Sequence, residues 1–454
     1  MAVKYFHHAL KFRKEVCIGC SHCMNVCPTQ AIRIHGGKAE LTDNRCVDCG
    51  KCYMACPVGA IIVEQDDFSR IFAYQHRVAL IPNVLLGQFP EKVSVNQICS
   101  VLHDLGFTLI FEVEHGTRIL SGAIKQYIQE HSQTKPLIST FCPAIVRLIQ
   151  VQFPALTENL ILLKAPLDVA ALYLRKKLVA QGNRNEDIGI FYITPCAAKI
   201  AAVKSPVGED SSHITGVINM DFIFNKVYTS VKQGHSGKTS SQVPLLSALG
   251  AQEMLWSLTE GESSLMPGRA LAIDEISNVI EFLERLENEE QCDIDFLELR
   301  ACDQSCAGGI LTSGNRFFTV ERLRKRAKGV EKISGKHTEE LSMENYRDYL
   351  LDNIRLNKVL PRSMDKLDDD TKRAMLKMQM VREIMKSLPY VDCGLCGSPT
   401  CNALAQDIVQ GRAEITHCIF IQKKYEQKEW ISHHESMEIM KEIWGSEKFG
   451  EEKK

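Results

Sequence analysis

Eighteen of the 454 residues are cysteine, and their spacing is uneven. Eight fall between residues 17 and 56, four between 393 and 418, and six are scattered between. The stretches "CIGCSHCMNVCP" (17–28) and "CVDCGKCYMACP" (46–57) both read C-x2-C-x2-C-x3-C-P. Three thiolates at this spacing wrap one face of an iron–sulfur cubane. The fourth, ahead of proline, is too far round to close the same cluster and ligates the other one. One cluster is therefore expected on Cys17, Cys20, Cys23 and Cys56, and a second on Cys46, Cys49, Cys52 and Cys27. Zinc is the bland alternative, and two such motifs in tandem disfavour it. The chemistry implied is one-electron transfer, with nothing said about substrate.

A third set closes the chain. "CGLCGSPTCNALAQDIVQGRAEITHC" carries Cys393, Cys396, Cys401 and Cys418 as C-x2-C-x4-C-x16-C. Four soft thiolates suit a 4Fe–4S cluster or a structural zinc. The middle of the chain holds "STFCPAIV" with Cys142, "ITPCAAKIAAV" with Cys196, and "ELRACDQSCAGGI" with Cys302 and Cys306. Each stretch follows an expected strand and opens a loop or helix. Ligand sites in α/β folds lie at the carboxyl ends of strands, so four thiolates meeting there would hold another cubane. Alone, Cys142 or Cys196 reads as a buried thiol. Cys99 and Cys292 read as ordinary core or surface thiols.

The elements that must position these residues are legible in outline. Residues 77–82, 107–113, 136–140, 188–194 and 295–299 read as buried strands. Helical spacing fills the intervals, with Gly106 as a helix stop. Such alternation predicts an α/β fold with mostly parallel strands. The expected domains are a cysteine-rich module at 1–66, a two-lobed α/β domain at 77–330, a helical linker at 331–385 and a small helical domain at 386–454. "DDD" (368–370) suits a helix start, and the methionines that follow predict a packed helix face. The stretch 233–242 reads as a polar loop. Net charge is −2, which implies no pull toward nucleic acid or membrane. No apolar run is long enough to span a bilayer, and the start lacks a signal-peptide core. A cytoplasmic, reducing location is expected, where disulfides are disfavoured.

The first two motifs resemble bacterial two-cluster ferredoxins, and the 393–418 spacing resembles a small iron–sulfur domain appended to redox and sensory proteins. The three central stretches, in this order behind a ferredoxin module, resemble the three signatures of [FeFe]-hydrogenases. That resemblance implies an H-cluster, a 4Fe–4S cubane joined through one cysteine sulfur to a two-iron unit with carbonyl, cyanide and dithiolate-amine ligands. It would sit beside three further [4Fe–4S] clusters. Carried over, Cys142, Cys196, Cys302 and Cys306 hold the cubane, and Cys306 bridges to the two-iron unit. Lys199 matches the lysine that binds a cyanide, as a buried anion requires. Gly308 and Gly309 match glycines that admit backbone close to the cofactor. Pro82 matches a proline lining the two-iron pocket, with Asn83 where serine is usual. Glu298 matches the acid of the third signature.

Several positions depart from the family. Phe141 stands where active members carry a proton-relaying cysteine, and phenylalanine has no proton to give. The next relay serine falls on Ile161, and the upstream acidic stretch aligns near "RILSGAI", which has no acid. A flanking methionine pair is replaced by Thr194 and Arg300. The resemblance is therefore to the slow, sensory branch of the family. Its implied partners are H2, an electron carrier such as ferredoxin, the H-cluster maturation enzymes and a separate signalling protein. A hydrogenase-like iron–sulfur protein without the two-iron unit, or an electron-transfer subunit of a larger complex, are the other readings.

Overall fold

The computed structural model describes residues 6–234, 249–288, 293–331, 343–362, 367–368 and 370–450. Cys292 and most of the loop expected at 233–242 lie outside them. Two compact units divide the chain. One comprises residues 63–361 with the start of the chain up to Ala9, and the other comprises 10–62 with 362–454.

The larger unit is built on two parallel sheets. Four strands run in the order Leu109–Glu112, His76–Ile81, Ile188–Thr194, Gly216–Asn219. Three run in the order Ala270–Asp274, Phe296–Arg300, Leu137–Ile138. Every residue of Ile188–Thr194 and of Phe296–Arg300 is buried. Central parallel strands covered on both faces are mostly apolar, as Ile188–Thr194 is, and Phe296–Arg300 departs from this at buried Glu298 and Arg300. The two sheets are the two lobes expected from the alternation of elements, and the mixed α/β class is as read from the sequence.

The connections matter most for function. Ile81 leads directly into Pro82, the cap of helix Asn83–Gln88. Cys142 caps helix Pro143–Gln152, whose proline at the first helical position removes a donor that would go unpaired there. Cys196 caps helix Ala197–Lys204 directly after Ile188–Thr194 and Pro195. Cys302 follows Phe296–Arg300, and Cys306 sits in the tight turn Ser305–Gly308. Strand carboxyl ends from both sheets thus deliver Pro82 and all four central cysteines.

The smaller unit pairs Leu10–Phe12 with Ile61–Val63, and Ile32–His35 with Lys38–Leu41 as an antiparallel hairpin. Short helices His22–Asn25 and Lys51–Ala55 carry Cys23 and Cys52. Its carboxyl-terminal part is helical. Val381, Leu388, Leu404, Ala405 and Ile421 pack around Cys401 and Cys418. Asp370 starts helix Thr371–Ser387 by accepting from the Arg373 amide at 2.9 Å, as the acidic run predicted. The methionine face differs from expectation. Met375, Met378 and Met380 are exposed, and only Val381 of this helix is fully buried. Helical spacing identified the stripe, but it could not show that no described element covers it. Among the described residues, no helix is long and apolar enough to cross a membrane.

Candidate metal centre

Cys142, Cys196 and Cys306 converge in the larger unit. Burial, with Cys306 and Cys142 adding to it, pushes the Cys196 thiol up to about 12 against the pull of Lys199. Cys302 lies one turn from Cys306, its carbonyl accepting from the Ser305 amide at 3.1 Å. Thiols crowded in this way gain little from one another as neutral groups. A cation that accepts thiolate would offset the burial, so the donor set suits a soft metal cluster. Burial acts against the charge of Lys199. The thiol of Cys306, Tyr192 and Cys196 outweigh it and hold the ammonium well above the usual lysine range. Its Nζ lies 3.2 Å from Cys306 Sγ.

Gly308 and Gly309 have a local reason to be glycine. A methyl group at Gly308 would meet the Asp303 carbonyl, and one at Gly309 would lie 2.5 Å from the Pro195 carbonyl oxygen. The room each leaves is taken by the chain's own backbone, which draws the Cys302–Cys306 turn tight against the Cys196 loop.

Phe141 is buried between two cations. Lys199 Nζ stands 4.7 Å and Arg300 Cζ 3.7 Å from its ring centroid. Arg300, where the resemblance led one to expect methionine, is held by Glu262 at 2.7 Å and faces Glu298 at 3.4 Å. Glu262 also accepts from the Ser139 hydroxyl at 2.8 and 3.0 Å, and Ser139 Oγ accepts from the Phe141 amide. Glu298 accepts from the Glu262 and Ser263 amides at 2.9 and 2.8 Å. Burial lifts Glu262 to about 7, with Arg300 pulling it down and Glu298 pushing it up. Ser139 and Glu262 belong to no spacing motif, so this network was invisible in the sequence.

A cavity of about 90 Å³ opens beside these groups, lined by Pro82, Phe141, Lys199, Cys306, Glu114 and Asp168 among others. That is several times the space one water needs. Pro82, Phe141 and Lys199, singled out separately along the sequence, therefore share one wall with Cys306. Two carboxyls there were missed. Glu114 accepts from the Asn83 amide at 2.9 and 3.0 Å, and burial lifts it to about 7. Asp168 is lifted to about 7 by burial and Glu209, against Lys164. Ile161 is buried, and its carbonyl accepts from the Thr140 hydroxyl. The acid-free aligned stretch thus gave an incomplete picture, since these acids reach the cavity from other parts of the chain.

The smaller unit gathers its cysteines in three groups. Cys23 is pushed up to about 12 by burial and then by Cys17 and Cys20, with Cys56 contributing from the second motif. Cys49 is pushed up to about 12 by burial and then by Cys27 from the first motif. Cys46 is raised by burial and Asp48, then by Cys27 and Cys52. The pre-proline cysteines therefore stand with the opposite motif. The Ala31 and Ala60 amides donate to Cys27 and Cys56 Sγ, each at 3.2 Å. Such bonds stabilise thiolate and tune a cluster's potential. In the third group Cys396 is pushed up to about 11 by burial, with Cys393 and Cys418 adding to it. Cys393 is the exposed member. Buried Cys99 stands apart from all these sets beside Glu112 and Arg326.

Comparison with known proteins agrees with this division. The family model for the iron only hydrogenase large subunit, C-terminal domain, matches residues 75–225. A 4Fe–4S dicluster domain matches 16–60, and an Fe–S cluster family matches 388–420. A component of the ion-translocating oxidoreductase complex of Rhodobacter capsulatus is 49% identical over 39 residues, which is 9% of this chain. The match spans about a fifth (21%) of that relative's length. Among solved structures, the [FeFe]-hydrogenase HydA(deltaEFG) is similar at 14% identity and a TM-score of 0.46, over 65% of this chain and 98% of its own. A variant of [FeFe]-hydrogenase HydA1 from Chlamydomonas reinhardtii gives 15% identity and a TM-score of 0.48, with the same coverage.

Proposed function

We propose that the chain is a slow [FeFe]-hydrogenase of sensory type, located in the cytoplasm, and the match of residues 75–225 to the iron only hydrogenase large subunit family supports that reading. The observation that carries this reading is the placement of Lys199 Nζ 3.2 Å from Cys306 Sγ, on the wall of a cavity shared with Pro82 and Phe141. Cys142, Cys196, Cys302 and Cys306 would hold the cubane, with Cys306 reaching the two-iron unit. When bound, that group supplies reversible H2 cleavage into two protons and two electrons.

The chain's own part is to hold and shield. A buried ammonium facing a cavity is suited to an anionic cyanide ligand, because a charge-assisted bond in a dry site is stronger than its counterpart in water. Phe141 keeps water from this side of the cavity and offers no proton. Delivery of a proton to the reacting atoms is therefore slow, since no donor stands at the position nearest them. Three further [4Fe–4S] clusters on the smaller unit's cysteines carry electrons to or from a carrier protein. Glu114 and Glu298 are engaged by backbone amides, so their role here is to position the Asn83 turn and the 262–263 segment.

The deciding experiment is infrared spectroscopy after co-production with H-cluster maturation enzymes. Bands of metal-bound carbonyl and cyanide, with slow H2-dependent reduction of a dye, are the expected result. A protein that takes up all its iron–sulfur clusters but shows no such bands would be a hydrogenase-like electron carrier instead.

A further inference from the structure

The cysteine set at 393–418 is packed onto one edge of the amino-terminal module within the smaller unit. Ile34 stands at the junction. Its side chain lines the cavity enclosed by Cys17, Cys20, Cys23 and Cys56. Its amide donates to the Gly397 carbonyl at 2.8 Å, one residue after Cys396. Gly397 has φ +77°, and a methyl group there would collide with the Ile34 carbonyl. The hairpin turn continues the contact, with the Gly36 and Gly37 amides donating to Glu442 and Ile443, each at 3.0 Å. Lys448 Nζ donates to the Gly19 carbonyl at 2.6 Å, inside the Cys17–Cys20 loop. Met24, next to Cys23, closes on Gly394, next to Cys393; a methyl group on Gly394 would lie 3.0 Å from its Cε. A half-buried ion pair, Arg33 to Asp407 at 2.5 Å, pins the edge.

We infer that the 393–418 cluster exchanges electrons directly with the cluster on Cys17, Cys20, Cys23 and Cys56, and not with the one on Cys46, Cys49, Cys52 and Cys27. This rests on the reading of both sets as 4Fe–4S sites. Residues adjacent to ligands of the first cluster touch residues adjacent to ligands of the carboxyl-terminal one. The second cluster's surroundings reach the carboxyl-terminal part through side-chain ends: Arg45 donates to Gln406, five residues past Cys401, and the Thr400 hydroxyl donates to Gln30 Oε1, three residues past Cys27, at 3.2 Å. Tunnelling falls steeply with distance, so the shorter path carries the current. Each event moves one electron: one cubane is oxidised by one unit and its neighbour reduced by one. Exposed Cys393 makes the carboxyl-terminal cluster the end of the line, where a carrier protein would give or take that electron.

The test uses the full chain made without maturation enzymes, so that H2 chemistry plays no part. Low-temperature electron paramagnetic resonance of the reduced protein should show the carboxyl-terminal cluster's signal split by a neighbour. The splitting should persist in Cys46→Ala/Cys49→Ala and vanish in Cys17→Ala/Cys20→Ala. Should either variant fail to fold, the other decides which cluster is the neighbour, because a splitting that persists without one ferredoxin cluster comes from the one that remains; dipolar spectroscopy on the wild type tests the nearness. The carboxyl-terminal cluster is expected to be as near to one ferredoxin cluster as the two ferredoxin clusters are to each other. A present but unsplit cluster, or a greater separation, overturns the direct path while leaving the cluster assignment intact. Zinc in place of iron at 393–418 overturns both.

Discussion

The guanidinium carbon of Arg300 lies 3.7 Å from the centre of the Phe141 ring. A cation over an aromatic face in a dry interior is worth ~2 kcal/mol. Phe141→Cys therefore does two things at once. It restores a proton donor beside Cys142, and it uncovers Arg300 while leaving a cavity that costs ~3 kcal/mol or more. Turnover of the matured protein should rise by less than the ~10²-fold that a well-placed donor can give. Adding Ile161→Ser should help more on this background than alone. H2 oxidation normalised to infrared band intensity, beside thermal unfolding, checks both. No gain in any variant with the bands intact would show that Phe141 does not limit the rate.

Lys199→Met should leave the iron–sulfur absorption in place and weaken retention of the two-iron unit. Loss of a charge-assisted bond of ~1.5–3 kcal/mol predicts an affinity drop of ~10–100-fold. Lys199→Arg should recover part of it. The intensity of the carbonyl and cyanide bands measures the effect. Unchanged bands in Lys199→Met would remove this lysine from the cofactor's anchor.

Arg300 is the cation between two buried carboxylates, Glu262 and Glu298. Removing one partner of such a set leaves charge unpaired in the interior, at ~3–5 kcal/mol. Arg300→Met should therefore destabilise the central domain by about that much. The double variant Arg300→Met/Glu262→Gln should lose less than the two single effects added together. Chemical denaturation of the four proteins forms the cycle, and strict additivity would mean that the pair does not act as a unit.

Burial lifts Glu114 to about 7. A carboxyl raised in the folded state binds a proton that the unfolded chain has already released. Its contribution to stability is complete below its unfolded pKa and is lost as pH rises through about 7. Stability of the central domain should thus fall as pH rises from 4.5 to about 7 and lose nothing more from this group above that, and Glu114→Gln should flatten that slope. Hydrogen exchange of the 76–81 strand amides across this range is a suitable readout. An unchanged slope in the variant would assign the pH dependence to other acids.

Metal content provides the simplest check. With sixteen of the eighteen cysteines in four sets, matured protein should hold about eighteen irons per chain, and unmatured protein about sixteen. Iron and zinc analysis reads this directly. Substantial zinc would point to the 393–418 set, the least diagnostic of the three groups by spacing.

The iron–sulfur motifs were legible because most of each ligand set lies within a short stretch, where thiol placement is a matter of chain geometry. C-x2-C-x2-C-x3-C-P places three thiols by local turns, the two motifs are close in sequence, and the structure stands Cys56 with the first motif and Cys27 with the second. The strands at 76–81, 188–194 and 296–300 were visible because buried strands are written as mostly apolar sequence, although Glu298 and Arg300 interrupt the last. The central cysteines were found only as separate strand ends, and resemblance to a family joined them. What the tertiary structure alone decided lies between segments distant in sequence. Ser139, Glu262, Glu298 and Arg300 form one buried network around Phe141, and Glu114 and Asp168 enter the same cavity from opposite sides of Phe141 in the chain. Ile34 meets Gly397 across most of the chain's length. A polar residue's type does not say whether it will be buried, and burial is what turns Glu114 or Glu262 from a solvated charge into a group that titrates near neutrality.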